Sequence, residues 1–135
     1  LSKALAAQKI VDKNWPILAS DTEVVVDGRI LGKPNNNDHA VSMLMALSGR
    51  SHEVLSAVTL LHKTQQTLVS KNRLSFREIS EQECFQYVEF GESDDKAGAY
   101  AIQGRAAAFI SSLEGSYSSV MGLPLTETTK LLELI

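Results

Sequence analysis

The sequence predicts one domain in which strands and helices mix, an α/β or α+β fold. Three observations carry that expectation. The chain has 135 residues, 44% of them hydrophobic, enough to bury about two-thirds of the surface its unfolded form would expose. Runs of β-branched, alternating residues are interleaved with runs of helical spacing, without the strict alternation of a parallel βαβ array. No repeat, low-complexity tract or linker divides residues 1–135.

Leu1, Ala4, Leu5, Ala7, Ile10 and Val11 fall near helical spacing until Asn14-Trp15-Pro16 stops the pattern, so a helix is expected from Leu1 to about Lys13. Ile17 to Val26 is β-rich and runs into Asp27-Gly28, a favoured tight-turn pair, then Arg29-Ile30-Leu31, which reads as a hairpin. Asn35-Asn36-Asn37-Asp38 offers N-caps to a helix that turns Ala40, Val41, Leu44, Met45 and Leu47 inward, and Gly49 stands where a C-terminal cap belongs. Glu53 to Leu61 and Thr67 to Ile79 alternate across the polar stretch Lys63 to Gln66 and predict an antiparallel hairpin. Ser80 with Glu83 forms a capping box for a helix through Cys84, Phe85, Tyr87 and Val88, ending at Gly91. Glu92 to Gly104 has no clean period. Ala106 to Leu113 reads as a buried strand, Glu114 to Gly122 as a loop, and Pro124 to Ile135 as a final helix with Pro in its first turn.

Charge and cysteine content exclude whole classes of function. Thirteen Lys and Arg against 16 Asp and Glu give a net charge of -3, unlike a protein that coats nucleic acid through displaced counterions. Cys84 is the lone cysteine, so there is neither a disulfide framework nor a multi-cysteine metal site, and a reducing compartment, the cytoplasm, fits. No apolar run approaches the roughly 20 residues that span a membrane, and no charged leader precedes an apolar stretch. A membrane or nucleic acid is therefore not the expected partner.

Asp21 is the first candidate for chemistry. It stands between Ser20 and Thr22 in an apolar strand, where a carboxylate is expensive unless a metal, a base role or hydrogen bonds compensate; a cap at a strand end or a structural pairing with a Lys is the alternative. Lys33, between Gly32 and Pro34, is either placed to meet an anion or a plain turn lysine. Asp94 to Gly104 gathers small residues that permit close backbone approach to a ligand, or else forms a surface loop held by its own Asp and Lys. His39, His52 and His62 lack zinc spacing. Cys84 and the three methionines, Met43, Met45 and Met121, read as packing. Neither a dinucleotide glycine fingerprint nor a P-loop occurs.

Four segments in register, Ala19-Ser20-Asp21-Thr22, Ile30-Leu31-Gly32-Lys33-Pro34, Asp95-Lys96-Ala97-Gly98-Ala99-Tyr100-Ala101-Ile102-Gln103-Gly104 and Val120-Met121-Gly122-Leu123-Pro124-Leu125, resemble the Maf family from about Lys3 to Ile135. The resemblance implies an α/β fold of the Maf and inosine triphosphatase type, a mixed sheet with flanking helices. It implies a nucleoside triphosphate pyrophosphatase that yields a monophosphate and pyrophosphate, and the Asp-Lys-Ala-Gly-Ala-Tyr and Ile-Gln-Gly wording resembles the subgroup acting on dTTP and UTP. In that likeness Asp21 is the proton acceptor that activates water, close to a divalent cation, Mg2+ or Mn2+. Lys3, Lys33 and Lys96 are expected at the triphosphate. Thr22 and Gln103 bear on which base is accepted, Gln103 offering the donor and acceptor that suit an imide edge.

The chain departs from the family in one respect. Family members begin with a strand and a Ser-x-Ser-Pro-Arg-Arg loop, followed by a metal-binding Glu; this sequence starts after both, so an N-terminally truncated domain is expected, with poorer nucleotide binding, slow hydrolysis or the inactivity of a fragment, and a homodimer covering the exposed edge. Two rivals stand beside the hydrolase: a nucleotide-binding regulator of septum formation that needs no turnover, and a receiver-like module with Asp21 as phosphoacceptor. A link to arrest of cell division is implied by the family name alone.

Overall fold

The computed structural model describes residues 1–12 and 14–135; Lys13, the expected end of the first helix, lies outside the described residues. Among the described residues five strands form one sheet in the order β2-β1-β3-β4-β5. They are β1 (Ile17–Val26), β2 (Arg29–Leu31), β3 (Ser51–Leu61), β4 (Gln65–Phe76) and β5 (Ile110–Glu114). Helices and strands mix as expected. Every strand pairing is antiparallel, which corrects the expected mixed directions: all neighbours except β1 with β3 and β4 with β5 are joined by short hairpins, which fix antiparallel pairing.

Local chemistry explains most boundaries. Asp27 and Gly28 both take positive φ, 52° and 71°, the left-handed pair that a two-residue turn needs to match strand twist. The helix α2 (Asn37–Leu47) is capped by the Asn36 side chain, which accepts from the His39 amide. The helix α3 (Glu81–Phe90) carries the full capping box, Ser80 with Glu83, and stops at left-handed Gly91. Its inward residues are Cys84, Tyr87 and Val88, whereas Phe85 faces solvent. β3 and β4 start two residues earlier than the sequence pattern indicates, and β4 ends at Phe76, three residues before buried Ile79.

One face of the sheet is apolar at both ends and polar in the middle. At one end Val24, Val26, Val54, Leu74 and Phe76 pack against Ala40, Val41, Leu44 and Leu47 of α2 and Cys84, Tyr87 and Val88 of α3. At the other, Val58, Leu60 and Leu68 meet Leu131 of a C-terminal helix. The middle rows, Thr22 beside Ser56 and Val54 beside Asn72, lie between these cores. On the opposite face Ala4 and Ala7 of α1 (Ser2–Gln8) cover Ile17, Ala19 and Leu61. α1 ends sooner than expected, and Leu5, Ile10 and Val11 are exposed.

Two expectations fail in the last third. Ala106 to Phe109 is not strand but part of a 3₁₀ turn, Arg105–Phe109. Burial there recurs every third residue, Ala106 and Phe109 inside and Ala107 and Ala108 outside, the period of a 3₁₀ helix rather than of a strand. The loop expected over Glu114 to Gly122 contains a short helix, α4 (Tyr117–Met121). The final helix, α5, is Leu125–Leu132, with Pro124 as its N-cap.

Candidate active site

A cleft of about 300 Å³ opens beside the polar middle of the sheet. α1 brings Lys3; β1 brings Ser20, Asp21, Thr22 and Val24; the turn after β2 brings Lys33; the segment from Asp95 to Gln103 and the helix α4 close the other side. Lys3, Asp21, Thr22, Lys33, Lys96 and Gln103, six residues from four separated parts of the sequence, all line it.

Asp21 is not the buried carboxylate that its apolar neighbours imply. β2 pairs only with Val24 to Val26, so among the described residues the outer edge of β1 from Ile17 to Glu23 has no strand partner. The Asp21 side chain is 65% exposed there and meets Lys3 Nζ at 3.2 Å. The same ammonium donates to the Ser20 carbonyl at 3.0 Å. No burial cost falls on Asp21, and a lysine partner, the structural alternative, is present together with the cleft.

Lys33 and Asp95 form the second ion pair, at 2.8 Å, both side chains largely exposed. Hydrogen bonding to Asp95 holds the Lys33 ammonium above its ordinary value, and Lys33 in turn holds the Asp95 carboxyl below the usual carboxylate range. The approach of the two segments depends on Gly98. Its amide donates to the Gly32 carbonyl at 3.1 Å, its φ is +69°, and a Cβ would press within 3.0 Å of the Val24 methyls. Any side chain there would therefore push the loop off the sheet.

Beneath the rim lies a buried polar floor. Thr22 and Ser56 hydroxyls sit 2.9 Å apart. Ser56 donates to the Ser119 carbonyl at 2.6 Å. Asn72 donates to the Val54 carbonyl at 3.1 Å and to Ser119 Oγ at 2.7 Å, and accepts from the Ser116 amide at 2.8 Å. Gly115, at φ +133°, gives Asn72 the room to do so, since a Cβ would collide with its side-chain oxygen. Nearby, His52 Nε2 lies 2.7 Å from the Tyr100 hydroxyl, and both rings stack edge-on with Phe76. Burial drives the His52 pKa down to about 4 and pushes the Tyr100 phenol up.

Ser20, Asp95, Tyr100, Val54, Ile102, Val120 and Met121 also line the cleft. Asp95 and its neighbours had been singled out as small residues around charged ones, and Ser20, Val120 and Met121 stand in the family-like segments, whereas Val54 carried no signal; Met121, read as packing, is 41% exposed at the cleft wall. Ser56 and Ser119 carried no signal, because a serine in an alternating strand or a loop looks like any other. His39, His52 and His62 stay apart. Cys84 is buried, its thiol pushed up to about 11 by that burial, which fits an inert packing role.

Among the described residues no group of three or more His, Cys, Asp or Glu is arranged to hold a metal. The cleft supplies Asp21 and Asp95 as its carboxylates. That donor set fits an ion such as Mg2+, which takes one or two carboxylates and completes its shell with water and substrate phosphates. Among the described residues no helix is long and apolar enough to cross a membrane.

Three lysines on a rim above an apolar and hydroxyl-lined floor define a class of protein: an α/β domain whose cleft has the polarity to hold a small polyanion with an uncharged end. Within that class the chain belongs to the Maf family, since the family described as Maf-like protein matches residues 1–135. It is 57% identical over 119 residues to the dTTP/UTP pyrophosphatase of Nitrosomonas europaea, a match covering 87% of this chain and 58% of the relative. It is 50% identical over 130 residues to the dTTP/UTP pyrophosphatase of Nitrosospira multiformis, covering 93% and 63%. With the protein of the same name from Photorhabdus laumondii it shares 47% over 132 residues, covering 96% and 67%. The chain thus spans about three-fifths of the length of these relatives.

Proposed function

We propose that the chain serves the hydrolysis of nucleoside triphosphates, dTTP and UTP foremost, to the monophosphate and pyrophosphate. The observation that carries this reading is the convergence of Lys3, Asp21, Thr22, Lys33, Lys96 and Gln103 on one cleft of about 300 Å³. The relatives named dTTP/UTP pyrophosphatase support it.

In the reaction a water oxygen bonds to the α-phosphorus, the bond from that phosphorus to the bridging oxygen breaks, and pyrophosphate leaves with the bridging oxygen. Asp21 orients the water and accepts its proton. Lys33 and Lys96 neutralise the charge that grows on the leaving group. Lys3, already within 3.2 Å of Asp21, keeps that carboxylate aimed into the cleft and adds positive charge at the α-phosphate. Asp21 together with substrate phosphates would hold a divalent cation, Mg2+ or Mn2+, which supplies Lewis-acid charge neutralisation when bound. Gln103 reads the base. Binding substitutes phosphate for carboxylate at Lys33, so the Lys33–Asp95 ion pair acts as a placeholder for the polyanion.

A non-standard pyrimidine nucleotide is a substrate of the same kind. The reading includes a homodimer, which the unpaired outer edge of β1 supports, and a cytoplasmic setting where nucleotides and reduced thiols are found; it needs neither nucleic acid nor a membrane. A role in arrest of cell division rests on the family likeness alone. A second reading, nucleotide-dependent regulation without turnover, uses the same cleft.

The test is pyrophosphate release from a panel of nucleoside triphosphates with Mg2+ or Mn2+, alongside calorimetric binding of UMP. Release from dTTP and UTP that vanishes in Asp21→Asn supports hydrolysis. Binding without release supports the regulator, and neither binding nor release overturns both.

A further inference from the structure

The hydroxyls of the cleft floor are ordered in one direction, and that direction decides what the floor offers a ligand. Ser56 is fully buried, and its Oγ lies 2.6 Å from the Ser119 carbonyl oxygen. A carbonyl has no proton to give, and a serine has one. Ser56 therefore spends its proton on Ser119, and the 2.9 Å contact between Thr22 and Ser56 must be donated by Thr22. The arrangement is locked from behind: the Asn72 oxygen accepts from the Ser116 amide, so its nitrogen faces Ser119 Oγ and the Val54 carbonyl. The Thr22 proton is thus committed to Ser56, and Thr22 presents lone pairs to the cleft.

We propose that Ser56 is a specificity-determining positioning residue: by taking the Thr22 proton it fixes Thr22 as a hydrogen-bond acceptor, and the cleft thereby selects a pyrimidine that presents a ring N–H. The proposal rests on the reading of the cleft as a nucleotide site. Phosphate oxygens are acceptors and gain nothing from an acceptor-only Thr22, whereas Lys3, Lys33 and Lys96 carry only donors. The triphosphate thus belongs at the lysine rim and the base at the floor, where Val24, Val54, Val120 and Met121 supply apolar contact. Uracil and thymine carry N3–H between two carbonyls; cytosine carries a bare N3 acceptor that would face the Thr22 lone pairs. Gln103, on the same cleft, can donate from its amide to a flanking carbonyl.

The experiment compares binding of UMP, CMP and 3-methyluridine 5′-monophosphate by calorimetry, with kcat and KM for UTP and CTP from pyrophosphate release. Wild-type protein is expected to bind UMP about tenfold or more tightly over both competitors. In Ser56→Ala the freed Thr22 proton can turn to the ligand, so the UMP to CMP preference should fall about tenfold, chiefly through KM for UTP. Thr22→Ser should keep the preference and Thr22→Val should lose it. Equal weakening of UMP and CMP in Ser56→Ala, or wild-type binding of the 3-methyl nucleotide as tightly as UMP, would overturn the proposal while leaving hydrolysis standing. Wild-type protein that binds none of the three would overturn the nucleotide reading itself, and this inference with it.

Discussion

The two levels of the cleft are built from opposite materials. Its rim is charged and open: Lys3 pairs with Asp21 and Lys33 with Asp95, with side chains between 62% and 82% exposed. Its floor is uncharged and closed: Ser56, Asn72 and Ser119 are at most 2% exposed and are bonded to one another and to the backbone. Exposed pairs contribute little to stability and rearrange cheaply. Buried hydrogen bonds resist rearrangement, because a partner lost there leaves a desolvated group unpaired. The rim is thus suited to exchange the Asp95 carboxylate for phosphate, and the floor to hold one shape and one polarity.

Mutations at the two levels should separate accordingly. The largest effect is expected at the rim but in chemistry alone: Asp21→Asn should lower pyrophosphate release by about 10²–10⁴-fold while the urea unfolding midpoint stays where it was. A matching loss of UMP binding would show instead that Asp21 serves affinity. At the floor, Asn72→Ala removes partners from the Ser116 amide, Ser119 Oγ and the Val54 carbonyl, and should cost about 3 kcal/mol in equilibrium unfolding. A cost no greater than that of a surface substitution would break the comparison.

The buried ring beside the floor should also respond to pH. His52 is 3% exposed, and burial lowers its pKa from 6.5 to about 4. Between those values the unfolded chain takes up a proton that the folded one refuses. The stability from keeping His52 neutral is complete above pH 6.5 and is lost as pH falls toward 4, a change of roughly 3 kcal/mol. His52→Gln should flatten that part of the stability profile measured by urea unfolding from pH 8 to pH 4; an unchanged slope would show that His52 is not the titrating group. The smallest effect is expected for Lys33→Ala. KM should rise several-fold at low salt and less at high salt, since the site is open to screening, with the unfolding midpoint unmoved.

What the sequence disclosed follows the range of the forces involved. The Asp27-Gly28 turn, the Asn36 cap, the Ser80 and Glu83 box and the Gly91 stop all stand where expected, because each is settled within four residues of chain. The 3₁₀ turn over Arg105–Phe109 was not legible: Ala106, Phe109 and Ile110 form an apolar run, and only the surface they pack on decides whether the buried residues recur by two or by three. α4 was missed for the same reason, as its hold on the sheet comes from Asn72 and Ser56 rather than from its own five residues.

The residues at the cleft divide the same way. Chemical character was legible: lysines, an aspartate in a strand, a glutamine among glycines. Pairing was not, since Lys3 with Asp21 and Lys33 with Asp95 join segments far apart in the chain. By itself the sequence determined the elements, their capping and the groups available to meet a phosphate or a base, because those are properties of single residues and near neighbours. Only the tertiary structure decided that Asp21 is exposed on an open strand edge, and that the Thr22 proton points inward, because a hydroxyl takes its direction from partners brought to it by folding: Ser56, 34 residues further on, and behind it the Ser119 carbonyl, 63 residues beyond that.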